Sequence, residues 1–312
     1  MTTHPIDAAS SKVTRALVVI HGSGRDAEHA FDAAVEAAKL AHVLDDTIII
    51  APRFSSNDGG LCDDVLEEHE TNWGCEANNG WQAGGTAADD DRLTTFDVVD
   101  RVLTQLARKD LFPNLSVIVV AGHSAGGQFA NRYSMANKVH GTLGVPITYV
   151  VANPSSYAWP DATRAMAIDD AVPASAKEGW NTENVHAKFT FGPFDAAAAN
   201  CPSYNRWPLG LTERTGGYTA QMTDDQLKKQ LVSRPTTYLL GQVDTLPLGG
   251  FDSSCSAMAQ GPTRRARGEA FVKFVNEQLG AQHKVQIVPE CGHNDRCIYT
   301  TDTVFPVIFP KS

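Results

Sequence analysis

Six short, mostly apolar runs, five of them rich in Val and Ile, punctuate the chain, at residues 16–20, 47–50, 117–121, 146–151, 236–240 and 285–288. Each is strand-sized, and five of them are followed within two residues by a Gly or Pro. Near-continuous apolar runs suit strands buried on both faces. Between them lie segments of helical period. Residues 95–109 carry a stripe of Val98, Val99, Val102, Leu103 and Leu106, and residues 264–279 one of Ala270, Phe271, Phe274, Val275 and Leu279. Residues 27–42 and 125–138 also read as helices. Strand–helix alternation predicts an α/β fold, with a mainly parallel sheet covered by helices on both faces. Functional groups in such sheets lie beyond the carboxyl ends of the strands.

Two long stretches break the alternation. Residues 53–92 are rich in Gly, Asn and Asp and contain Trp73 and Trp81. A bare loop of that length is unusual in a compact domain, so short structure and a Cys62–Cys75 bridge are expected to organise it. Residues 154–234 form an insertion with many turn formers and the aromatics Trp159, Trp180, Phe189, Phe191, Phe194 and Trp207. We expect a single domain over residues 1–312 with this insertion as a cap-like element.

The sharpest local signal is Gly122-His123-Ser124-Ala125-Gly126, placed between an apolar run and a helical segment. A serine on a strand–turn–helix elbow projects its hydroxyl at the top of the sheet, and small neighbours let strand and helix close up. Ser124 is therefore the expected nucleophile. A hydroxyl needs a base. His293, in the loop after the last apolar run, is the choice over His123 and His21. His123 adjoins the serine, where neighbouring side chains usually point apart, and His21 suits a structural hydrogen bond. Asp244 follows the 236–240 run and is the expected orienting acid, with Asp161 a weaker alternate and Asp295 a local cap. The oxyanion donors are expected to be the backbone N–H of Ala125 and that of Ser23 or Gly24, in the loop after the first run.

The order Ser124…Asp244…His293, the elbow at 122–126 and the His-Gly-Ser-Gly loop at 21–24 resemble the α/β-hydrolase superfamily over roughly residues 15–300. The chain looks nearer to compact esterases, dienelactone hydrolases or feruloyl esterases than to large lipases. The first apolar run matches the family's third strand, which implies a sheet lacking the two leading antiparallel strands. The resemblance implies acyl transfer to serine and hydrolysis by water, with an ester or amide small molecule as substrate. A catalytically silent binding protein on this fold is the alternative of another class, and the intact serine, acid, base and loop speak against it. Trp73, Trp81, Trp159, Trp180 and Trp207 are the pocket-wall candidates, with a place in a small core as the competing role for the insertion's three.

Composition narrows the partners. A formal net charge of -10 argues against a nucleic-acid footprint. Arg264, Arg265 and Arg267 cluster near a helix start and read as a solvated face. No run is long enough to cross a membrane, and residues 1–14 hold no apolar leader core. The six cysteines, 62, 75, 201, 255, 291 and 297, all fall in segments read as loops. This predicts disulfides, including a local bridge at 291 and 297, and an oxidising, extracellular setting. No cofactor or metal is expected. There is no tight CxxC pair for zinc, and the aspartates at 89–91 lack the ligand spacing for calcium.

Overall fold

The structure, a computed structural model, describes residues 1–59, 62–75, 80–167 and 189–311. The strands are β1 (Arg15–Ile20), β2 (Thr47–Ile50), β3 (Val117–His123), β4 (Ile147–Ala152), β5 (Thr163–Ala167), β6 (Phe189–Pro193), β7 (Thr236–Gly241) and β8 (Lys284–Val288). Six of them form one parallel sheet in the order β2-β1-β3-β4-β7-β8, while β5 and β6 pair as a separate antiparallel hairpin. The two leading antiparallel strands expected to be missing have no counterpart among the described residues. Only an isolated antiparallel bridge, Thr2 to Ile50, lies along the outer edge of β2.

The pleat explains why the runs are apolar throughout. Val18, Ile118, Val120, Tyr149 and Tyr238 point to one face. There they meet α2 (Thr95–Leu106), α3 (Ala125–Ala136), α4 (Asp224–Ser233) and the long helix Arg264–Leu279. Leu17, Val19, Val119, Val150 and Leu239 point to the other face, covered by α1 (Ala27–Leu40) and the C-terminal segments. The alanines of α1, among them Ala30, Ala34 and Ala37, let it lie close on β1 and β2. Asp26 caps α1 by accepting from His29 N at 2.9 Å, and Thr94 and Asp97 form a capping box on α2.

After the insertion come α5 (Cys255–Met258), α6 (Arg264–Leu279) and α7 (Asp295–Thr300). The described part of 154–234 lies along the α3–α6 face. Tyr157 stacks on Phe271 at 4.6 Å, and Trp159 packs on Phe274 at 5.0 Å. Its tail, as α4, puts Leu227 and Leu231 into the same core.

One expectation is reversed. Arg264, Arg265 and Arg267 are 0, 3 and 0% exposed, so they form no solvated face. Their guanidinium groups are turned inward and donate to carbonyl oxygens of the surrounding loops. Arg265 reaches Gln242 O, and Arg267 reaches Ser155 O, Asp252 O and Gly261 O. Arg132 on α3 and Arg164 on β5 are buried in the same way, on Pro208 O and Gln82 O and on Asp161 O and Tyr204 O. Irregular chain cannot satisfy its own carbonyls, and the five-donor guanidinium supplies bonds to several at once.

All six cysteines are paired, as Cys62–Cys75, Cys201–Cys255 and Cys291–Cys297. The first crosslinks the 53–92 stretch, as expected. The second ties the insertion to α5, and the third encloses the loop after β8.

Candidate active site

The strand register brings the expected residues together. Ile20 of β1 pairs with Gly122 of β3, His123 of β3 with Ala152 of β4, and Gly241 of β7 with Val288 of β8. The loops leaving β1, β3, β7 and β8 therefore emerge side by side at the carboxyl edge.

Ser124 sits between β3 and α3 at φ 59° and ψ -121°, a conformation that costs a non-glycine residue roughly 1–3 kcal/mol. Tight packing holds it there. A Cβ on Gly122 would fall 2.1 Å from Gly126 O, and one on Gly126 would fall 2.1 Å from Ile20 O. The main chain of the elbow is thus in direct contact with itself and with β1. Ser124 N donates to Ala152 O at 3.0 Å, and Ser124 O accepts from Gln128 N at 2.9 Å.

His293 Nε2 lies 2.9 Å from Ser124 Oγ, and His293 Nδ1 lies 2.9 Å from Asp244 Oδ2. The three groups form one hydrogen-bonded chain. Asp244 is 2% exposed, and its second oxygen, Oδ1, accepts from Arg264 Nη1 at 3.3 Å. The loop carrying His293 is pinned at several points. Val243 N donates to Cys291 O, the Cys291–Cys297 disulfide closes the loop, and Asn294 caps α7 by accepting from Cys297 N.

The other titratable candidates are engaged elsewhere. His21 accepts from Phe54 N at 3.0 Å through Nε2, so its Nδ1 carries the proton and donates to Gly22 O at 2.8 Å. Burial pulls its pKa down from 6.5 to about 4, and it stays neutral at pH 7. His21 thereby ties the 21–24 loop to the chain leaving β2, as a structural hydrogen bond should. His123 is buried beside His293, with ring centroids 4.7 Å apart, and burial holds its pKa well below the ordinary range. Its Nε2 accepts from Asn153 Nδ2 at 3.3 Å rather than engaging the serine. Asp161 accepts from Thr163 N in a local turn, and Asp295 meets His29 and Arg296 N at the start of α7.

Arg25 N donates to Gly22 O, closing a turn with Ser23 and Gly24 at its apex. A Cβ on Gly22 would lie 3.9 Å from Ser124 Cβ, so this turn stands directly over the serine. Ala125 follows the serine as the first residue of α3.

The tryptophans are distributed differently from Ser124, Asp244 and His293. Trp159 has no exposed surface and lies among Phe191, Phe271 and Phe274. Trp73 and Trp81 are buried behind the 21–24 loop. Trp81 lies 4.4 Å from the His21 ring, and Trp73 meets Phe54 edge-on at 5.4 Å. Trp207 is partly buried against the same core, and Trp180 lies outside the described residues.

The family model of the alpha/beta hydrolase family matches residues 17–303, which contain most of β1, the other five strands of the sheet and all three groups of the hydrogen-bonded chain. The chain belongs to the α/β-hydrolase family. This hydrolase is similar in structure to a poly(3-hydroxybutyrate) depolymerase, LpqC, of Bordetella parapertussis. The two align with a TM-score of 0.61 and 22% identity, over 97% of this chain and 81% of the other. It is also similar to poly(aspartic acid) hydrolase-1 of Sphingomonas sp. KT-1, with a TM-score of 0.62 and 21% identity, over 95% of this chain and 88% of the other. At this identity the likeness establishes the fold. No curated protein matches the chain by sequence.

Two residues of this hydrolase's site escape a reading of its sequence. Asn153, at φ 43° after β4, accepts from Gly241 N at 2.8 Å and donates to Gly292 O at 3.1 Å. One amide thus spaces the loop that carries Asp244 from the loop that carries His293. Arg264 is the other, hidden in a basic cluster that reads as surface.

Proposed function

We propose that this protein is a serine hydrolase that cleaves carboxylic esters through an acyl-serine intermediate. The observation that carries this reading is the unbroken chain Ser124 Oγ–His293 Nε2–Asp244 Oδ2, with 2.9 Å at both links and the serine on a strained elbow. His293 Nε2 takes the hydroxyl proton as Oγ attacks the ester carbonyl, then returns it to the departing alcohol. A water follows the same route to release the acid. Asp244 holds the proton on Nδ1 and balances the imidazolium that forms. The backbone N–H of Ala125, with that of Ser23 or Gly24, receives the developing oxyanion. The chemistry needs no cofactor. Likeness to a poly(3-hydroxybutyrate) depolymerase and a poly(aspartic acid) hydrolase fits hydrolysis of an acyl bond. Three disulfides favour an oxidising compartment as its working place.

The test is labelling with a small fluorophosphonate, followed by peptide mapping and turnover of a panel of esters and matching amides. We expect one adduct, on Ser124, and hydrolysis of esters in preference to amides. Ser124→Ala should fold and lose turnover by about 10³-fold or more. Undiminished turnover in that variant removes the reading.

A further inference from the structure

The mechanism above leaves one buried charge at the site unexplained. The Arg264 guanidinium has no exposed surface and divides its donors between two tasks. Nη1 reaches the outer oxygen of Asp244 at 3.3 Å, the oxygen not used by His293. Nη2 forks onto two successive loop carbonyls, Leu248 O at 2.7 Å and Gly249 O at 2.6 Å. Nε donates to Ser155 Oγ at 2.9 Å, and that hydroxyl donates in turn to Gly250 O at 3.2 Å. The Phe251 ring lies against Arg264 at 5.3 Å and Arg267 at 4.4 Å.

The loop held in this way lies over the reacting groups. A Cβ on Gly249 would fall 3.4 Å from His293 Cδ2, and one on Gly250 would fall 3.3 Å from Ser23 Oγ. Its backbone thus walls one edge of the imidazole and abuts the 21–24 turn. Next to Gly249, Leu248 turns its carbonyl inward to Arg264, while the residue as a whole is 62% exposed.

We propose that Arg264 is a positioning residue for the hydrolytic reaction, fixing the rotation of the Asp244 carboxylate and clamping the 248–250 loop against His293 and the oxyanion turn. This rests on the reading of Ser124, His293 and Asp244 as the catalytic groups. A buried arginine whose only task was to fill its site would satisfy loop carbonyls, as Arg267 does. Arg264 also joins the acid, and its loop partner touches the base. Its positive charge stands one residue removed from His293, through Asp244. Among the described residues, the other charged or titratable groups around His293 include Asp244 itself, His123 from β3, and Asp295 with its partner His29 from α1. Burial keeps His123 neutral in the working range, and His29 and Asp295 bond to each other.

The experiment compares wild type with Arg264→Met, Arg264→Lys and Arg267→Met. It measures kcat and kcat/KM for p-nitrophenyl acetate between about pH 5 and 9, with urea unfolding of each variant. Arg264→Met removes a buried cation bonded to the carboxylate that holds the imidazole. The acid limb of kcat/KM should then move up by roughly half to one pH unit. The loosened carboxylate and loop should lower kcat by about tenfold or more. Arg264→Lys keeps the charge, but three donors cannot serve Asp244, Leu248 O, Gly249 O and Ser155 Oγ at once, so its limb should stay in place while kcat falls several-fold. Arg267→Met should unfold more easily with its limb unmoved. An unmoved limb in Arg264→Met overturns the proposal whatever happens to kcat, and so does an equal limb shift in Arg267→Met. If Arg264→Met does not fold, wild-type kcat in Arg264→Lys overturns it, and a reduced kcat with an unmoved limb supports it. Failure of the underlying reading would appear separately, as turnover in Ser124→Ala or absent phosphonate labelling in wild type.

Discussion

The contact between the elbow and β1 makes Gly126→Ala the most informative single-methyl change in this protein. The new Cβ would fall 2.1 Å from Ile20 O and 2.6 Å from His21 O, both main-chain atoms that cannot rotate away. Restoring an ordinary contact requires the first turn of α3 to move from β1 by about 1 Å. That turn carries Ala125, and the opposing chain leads directly into the 21–24 turn, so the displacement opens the gap between the two expected oxyanion donors. Overpacking of this kind costs typically 1–3 kcal/mol of stability. A 1 Å misplacement at a reacting centre costs about 10²-fold in rate. Urea unfolding should therefore show a loss of about 1–3 kcal/mol. In protein still folded, kcat/KM for p-nitrophenyl acetate should fall by about two orders of magnitude, with slower phosphonate labelling of Ser124. Gly141→Ala is the control, because nothing lies within 4 Å of its Cβ position. Wild-type stability and turnover in Gly126→Ala would refute the claim that this contact sets the site.

Three further outcomes follow from the same structure. Cys201–Cys255 spans 54 residues, so replacing both by Ser should cost about 4 kcal/mol by chain-entropy bookkeeping, against about 2 for Cys291–Cys297, read from urea midpoints. Equal losses would show that loop length is not the controlling quantity. His21 takes its proton in the unfolded chain near 6.5 but in the fold only near 4, so stability falls as pH drops through this window. From pH 7.5 to 5 its share is about 2 kcal/mol, and His21→Gln should flatten the measured dependence by that amount. An unchanged dependence would mean that His21 is not held neutral. Trp159→Ala should lose roughly 3–5 kcal/mol, as befits a fully buried indole. A variant of wild-type stability with an altered ester preference would instead place Trp159 in the substrate pocket.

What the sequence determined by itself is local. Near-continuous apolar runs of strand length suit strands covered on both faces, and their ends match β1, β2, β3, β4, β7 and β8 to within two residues. Ser124 is legible because an elbow is a short-range device, with strand, turn and helix inside one stretch of chain. His293 and Asp244 are legible because a parallel sheet delivers every strand's carboxyl end to the same edge, so chain order becomes spatial proximity. The tertiary structure decided what depends on partners distant in sequence. Whether a tryptophan walls a pocket or fills a core turns on what lies opposite, and for Trp159 that is Phe271 and Phe274, more than a hundred residues away. Whether an arginine is solvated turns on what its guanidinium finds to bond. The run at 264–267 reads as basic surface until the 248–252 loop and Ser155 fold over it and supply the acceptors. No periodicity encodes that contact, because irregular loops meet the helix through backbone carbonyls, which every residue carries alike.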